Sequence, residues 1–119
     1  MARILAVDDS PSMRLLVKLS LEESGHQVLV ANDGLEGLEV LGREKVDLIV
    51  TDINMPKMNG IEFIQKLRAQ GVRFTPVLVL TTEAGQALKD QARKAGAAGW
   101  LVKPFDAPQF IAAVRKVLP

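Results

Sequence analysis

The sequence predicts an α/β protein of three layers, in which five strands alternate with five helices and a doubly wound parallel sheet is covered on both faces. The grounds are the short apolar runs at 3–7, 46–50 and 76–80, which are near-continuous, as strands buried on both faces are. Between such runs lie stretches with apolar residues at helical spacing, opened by capping residues and closed by Gly or Pro.

Each element has its own justification. Residues 3–7 (Arg-Ile-Leu-Ala-Val) read as the first strand, stopped by Asp8-Asp9. Ser10-Pro11 supplies an N-cap and a first-turn proline, and Met13, Leu16, Val17 and Leu21 make the apolar face of a helix that Gly25 is placed to end. Val28 to Val30 is the second strand. Asp33 caps a weak second helix, interrupted by Gly37, with Leu35, Leu38 and Leu41 as its apolar side. The third strand, 46–50, leads into a loop at 52–59 that contains Pro56 and Asn59. Asn59 caps the third helix, with Glu62 at its third position and Ile64 and Leu67 facing inward.

Residues 76–80 form the fourth strand, ending in Thr81-Thr82-Glu83. The fourth helix, 84–95, has mostly alanine on its apolar side (Ala84, Ala87, Leu88, Ala92, Ala95), so little apolar area anchors it. Gly99 to Val102 is a short fifth strand, broken by Lys103-Pro104. The last helix starts near Asp106-Ala107-Pro108 and presents Phe110, Ala113, Val114, Val117 and Leu118 as one stripe.

At 119 residues the chain reads as a single domain, 1–119, with no room for an output domain. A net charge of +1 favours neither nucleic acid nor anionic lipid, and the absence of cysteine excludes disulfides, thiolate metal sites and thiol nucleophiles. The apolar start is too short for a signal peptide or a membrane span, so a cytoplasmic protein is expected. Neither glycine-rich nucleotide fingerprint occurs, and no helix-turn-helix extension for DNA is present.

In a doubly wound sheet the C-terminal ends of the strands share one edge, where ligands bind. The polar residues at those ends are Asp8 and Asp9 after strand one, Asp52 after strand three, Thr81 after strand four and Lys103 after strand five. Three acids at close quarters call for a cation or for protons. Mg2+ suits such oxygen ligands and keeps coordination positions for water and phosphate. With a lysine as a fixed positive charge and a threonine hydroxyl as donor, the parts for holding a phosphoryl group are present, and Asp52 can serve as the nucleophile that forms an acyl phosphate. Taken singly each residue has an ordinary reading: helix-terminal charge for Asp8-Asp9, a loop acid for Asp52, a surface lysine for Lys103. Their joint placement at four strand ends favours the functional one.

The set Asp8-Asp9, Asp52, Thr81-Thr82 and Lys103-Pro104-Phe105 resembles the receiver domain of two-component response regulators over the whole chain. Asp52-Ile53-Asn54-Met55-Pro56, Thr81-Thr82-Glu83 and Gly99-Trp100-Leu101-Val102-Lys103-Pro104-Phe105 are similar to its chemotaxis branch in particular. The resemblance implies the flavodoxin-like (βα)5 fold with strand order 2-1-3-4-5. It implies that Asp52 accepts a phosphoryl group from a phosphohistidine of a sensor histidine kinase, in a domain that catalyses only its own phosphorylation and dephosphorylation. Asp9, Asp52 and the backbone carbonyl of Asn54 would ligate Mg2+, with Asp8 reaching it through water. Thr81 and Lys103 would bind the phosphoryl oxygens, and the Lys103–Pro104 peptide would be cis. Trp100 stands where most members carry a Tyr or Phe that changes rotamer with the threonine; its bulk implies a partial switch that alters the 84–118 surface. Asn54 and Glu83 match positions that tune dephosphorylation. The implied partners are the kinase, a flagellar motor switch protein or other target, and a phosphatase, acting on a monomer.

Within that family a single-domain phosphorelay intermediate or phosphate sink is the alternative to a chemotaxis regulator. An aspartate-nucleophile phosphatase of the haloacid dehalogenase type shares the Asp, Thr, Lys and Mg2+, but it needs an acid two residues after the nucleophile. Asn54 stands there and exchanges no proton. An interaction module that is never phosphorylated is disfavoured by the complete set of rim residues. His26 reads as a solvated turn residue, Arg93, Lys94, Arg115 and Lys116 as solvated helix faces, and Met55 and Met58 as packing for the loop.

Overall fold

The structure, a computed structural model, describes residues 2–83 and 85–118. Strands β1 (Arg3–Val7), β2 (Gln27–Ala31), β3 (Leu48–Asp52), β4 (Val77–Thr81) and β5 (Gly99–Val102) alternate with helices α1 (Pro11–Glu23), α2 (Gly34–Arg43), α3 (Gly60–Ala69), α4 (Gln86–Ala95) and α5 (Ala107–Val117). All strand pairs are parallel and the order is β2-β1-β3-β4-β5. This is the flavodoxin-like fold, as expected.

Successive side chains of a strand point to opposite faces, so each central strand feeds two cores. Leu5, Val7, Ile49, Val77 and Val79 meet Val40 of α2, Phe63, Ile64 and Leu67 of α3 and Ala92 of α4. Ile4, Ala6, Leu48, Val50, Leu78 and Leu80 meet Val17 and Leu21 of α1 and Phe110 and Val114 of α5. Strands β3 and β4 are buried at every position, and β2 and β5 form the more exposed edges.

Three apolar assignments made from periodicity are corrected. Leu16 is 42% exposed, because the buried stripe of α1 runs through Val17, Ser20 and Leu21, about 100° further round the helix. Leu35 is 46% exposed, and Gly34, Gly37 and Val40 face the sheet instead, flanked by half-buried Leu38 and Leu41. Gly37 is therefore a contact point and no interruption: a Cβ there would stand 2.9 Å from the Phe63 ring. On α4, Ala87 is exposed and Ala92 is the only buried residue among those described, while Ala84 lies outside the described residues. The weak anchorage expected of this helix thus rests on even fewer residues. Among the described residues no helix is long and apolar enough to cross a membrane.

Two boundaries move in a way that matters for the site. β3 spans Leu48–Asp52 and β4 spans Val77–Thr81, each further along the chain than the apolar runs 46–50 and 76–80. Asp52 pairs with Leu80, and Thr81 with Val102, so both polar residues belong to the ladder and inherit its rigidity.

The loop after β3 is held at both ends. Met58 is buried beneath Gly34, and the Gly60 N–H donates to the Ile53 carbonyl at 2.8 Å. A Cβ on Gly60 would collide with the Asp52 carbonyl, so only glycine lets α3 start this close to the strand end. Asn59 and Glu62 form a reciprocal capping box at the start of α3. Asn59→Ala is expected to cost about 1 kcal/mol and to lower the melting temperature by about 4 °C, measured by thermal denaturation.

Candidate functional site

Four strand ends meet at the C-terminal edge of the sheet. Asp8 follows β1 directly and is 4% exposed. Its Oδ1 accepts from the Ser10 N–H at 2.9 Å, which turns the carboxylate toward the start of α1. Asp52 closes β3 at 8% exposure, with Oδ1 accepting from the Ile53 N–H at 2.7 Å. Asp9 is exposed. The three carboxylates each offer an oxygen lying within 4.8 Å of the others.

Lys103 reaches over from the end of β5. Its Nζ donates to Asp8 Oδ2 at 3.2 Å and to Asp52 Oδ2 at 3.3 Å, bridging residues 95 and 51 positions away in sequence. The lysine is itself held by its N–H, which donates to the Thr81 carbonyl at 2.7 Å, and the Lys103–Pro104 peptide is cis. Thr81 is fully buried, and its Oγ1 accepts from the Glu83 N–H at 3.2 Å. Asp8, Asp9, Asp52 and Lys103 thus converge, with Thr81 one strand over. Asn54 and Glu83 are exposed just past β3 and β4. Trp100 is half-buried on β5 against the α2–α4 side of the sheet, with no partner for Nε1 among the described residues.

One contributor was not singled out from the sequence. Arg14 Nη1 donates to the Asp8 carbonyl at 2.7 Å, bracing the turn that carries both acids. Its place one helical turn after the Ser10 cap was the available signal, since a long side chain there can reach back to the strand end. His26 also differs from expectation. It is half-buried, and its Nδ1 accepts from the Ala2 N–H at 3.0 Å.

Burial pushes the Asp52 carboxyl above its ordinary value, and neighbouring Asp8 pushes the same way against the pull of Lys103. One lysine does not balance this pocket. The donors are all hard oxygens, which fits a divalent cation of the Mg2+ class. The raised value also has a sign for stability. A carboxyl that holds its proton more tightly when folded is best tolerated below the unfolded value of 3.8, and its cost appears as pH rises above that. In chelator, Asp52→Asn is therefore expected to melt higher than the parent by an amount that grows as pH rises above about 4 and levels off once the folded carboxyl has ionised. Thermal denaturation across that range measures it, and a gap that shrinks with pH would contradict the strained pocket.

Residues 4–115 match the family described as response regulator receiver domain. The chain belongs to that family. It is 42% identical over 112 residues to a chemotaxis protein CheY homolog of Campylobacter jejuni, a match covering 92% of this chain and 85% of the relative. It is 39% identical over 116 residues to response regulator MprA of Mycobacterium leprae, covering 98% of this chain but only half of that longer protein. Among solved structures it superposes on chemotaxis protein CheY4 of Vibrio cholerae with a TM-score of 0.96 at 43% identity, covering 99% of both chains. It also superposes on the receiver domain of sensor histidine kinase PA1611 from Pseudomonas aeruginosa, with a TM-score of 0.88 at 26% identity and 98% and 96% coverage. That structure has a magnesium ion coordinated in its active site cleft. The chain is thus a CheY-like receiver domain of two-component signalling. Domains of this family take phosphate from histidine kinases, bind Mg2+ at an acidic pocket and act on downstream targets.

Proposed function

We propose that this receiver domain is a phosphorylation-activated switch in chemotaxis, with Asp52 as phosphoacceptor. An Asp52 carboxylate oxygen attacks the phosphorus of a kinase phosphohistidine, the P–N bond breaks, and its electron pair returns to the imidazole. Water later attacks the acyl phosphate and releases inorganic phosphate. Asp9, Asp52 and the Asn54 carbonyl would hold Mg2+, with Asp8 reaching it through water, and the ion would supply positive charge against the crowded oxygens. Lys103 pairs with the phosphoryl group and Thr81 donates a hydrogen bond to it. Asn54 and Glu83, both exposed at the mouth of the pocket, tune the rate at which water discharges it.

The observation that carries this reading is the Lys103 ammonium held 3.2 and 3.3 Å from two nearly buried carboxylates, beside a third. Such a pocket suits a carboxylate that takes up a phosphoryl group beside a bound cation. Asn54 supports storage of the group over substrate turnover, since it offers no acid–base proton. For the output, Trp100 has hollows of about 140 and 380 Å³ along it, toward α4 and toward α5. That space around the ring supports the reading in which Trp100 reorients when Thr81 moves and so alters the 84–118 face. The strong likeness to CheY proteins supports the flagellar motor switch as target, with a chemotaxis-type kinase upstream.

Incubation with acetyl phosphate tests the core of the proposal. One phosphoryl group per chain is expected in the presence of Mg2+, and chelation is expected to stop the transfer. Labelling that proceeds at the same rate without metal would refute the acid pocket.

A further inference from the structure

At the opposite end of the sheet from the acid pocket, the coil segments before β3 and β4 enclose a cleft of about 490 Å³. Its apolar walls include Leu41, Val46 and Val72, and Phe74 stands at its edge with 94% of its surface exposed. An aromatic this bare on a loose loop would mean little. Here the loop is braced from within. Arg68 Nη1 donates to the Val72 carbonyl at 3.0 Å and to the Thr75 carbonyl at 2.7 Å, gripping the chain on both sides of Phe74. The backbone that carries the ring is therefore already ordered, which lowers the cost of binding through it.

Charge indicates what would cover it. Of the ionic residues lining the cleft, Glu44 is engaged by Arg3 at 2.9 Å, whereas Lys45 and Arg73 have no ion-pair partner among the described residues. A second copy of the chain would bring the same two cations against themselves, so self-association through this face is disfavoured. We propose that this cleft is a docking surface for an acidic segment of a partner protein, with an apolar side chain seated against Phe74, Val46 and Val72 and carboxylates meeting Lys45 and Arg73. The surface lies away from the strand ends that carry Asp8, Asp52 and Lys103, so a partner could occupy it without covering them, and its existence does not depend on the role of Asp52.

Fluorescent peptides of equal length test the proposal against the full chain: an acidic amphipathic peptide, its lysine counterpart, and an acidic peptide lacking apolar residues. The acidic amphipathic peptide is expected to bind most tightly, more weakly at high salt, and to shift amide resonances in 41–46 and 70–76. Phe74→Ala is expected to weaken it about tenfold or more, and Lys45→Glu with Arg73→Glu to weaken it at least as much. Both substitutions fall on exposed residues, and circular dichroism establishes that the variants fold. Equal binding of the lysine peptide, resonance shifts confined to other surfaces, or no binding at all would overturn the proposal. Concentration-dependent dimerisation abolished by Phe74→Ala would overturn it in favour of a second copy.

Discussion

Asp52→Asn is expected to lower phosphorylation by acetyl phosphate or kinase by about a thousandfold or more, to the limit of detection. The amide has nearly the same shape and still accepts from the Ile53 N–H, so the pocket stays assembled. What is lost is the nucleophilic oxygen anion, and an amide oxygen does not form an acyl phosphate. The variant is expected to be folded, and at neutral pH in chelator more stable than the parent, because a buried negative charge beside Asp8 has gone. Loss of labelling therefore coincides with retained or increased stability, a combination that separates removal of chemistry from unfolding. Labelling at the parental level would transfer the role to Asp8 or Asp9 and sink the assignment.

Lys103→Ala is expected to act in two ways. Without metal, at neutral pH, it leaves Asp8 and Asp52 nearly buried and facing each other with no cation, a loss of about 3 kcal/mol by comparison with other broken buried pairs. Mg2+ is expected to restore much of that stability by binding the folded form alone, so the deficit measured by denaturant unfolding shrinks as the ion is added. The second effect concerns signalling. Asp52 remains, so phosphorylation continues, but the ammonium that links the phosphoryl group to the end of β5 is gone. Binding of the target in the presence of beryllofluoride, which stands in for the phosphoryl group on Asp52, is expected to fall to the level of the unmodified protein. Parental stability in chelator would mean that the carboxylates are better solvated than their burial indicates. Parental target binding would remove Lys103 from the signal path.

Most of the site was legible because its residue types are chemically unusual where they stand. Asp8-Asp9, Asp52, Thr81 and Lys103 are polar residues at the ends of apolar runs, and alternation of strand and helix brings such ends to one edge. Arg14 escaped because its contribution is a bond to a main-chain carbonyl, which leaves no trace in residue type. The helix faces were read less well. Leu16, Leu35 and Ala87 satisfy helical spacing within a broad window, yet the buried side depends on where the helix lands on the sheet. On α2 that landing point is Gly37 against Phe63, a contact that hydrophobic periodicity scores as a gap.

The sequence by itself determined the class of fold, the order of elements, the capping residues Ser10, Asp33, Asn59 and Asp106, and the candidate acids, because all of these follow from local chemistry and period. Only the tertiary structure decided that Lys103 bridges Asp8 and Asp52, that burial pushes Asp52 upward, and that Asp52 and Thr81 are strand residues set in the ladder. Those facts depend on chain segments separated by 51 and 95 positions. Distance and desolvation between such segments exist only once the sheet has closed.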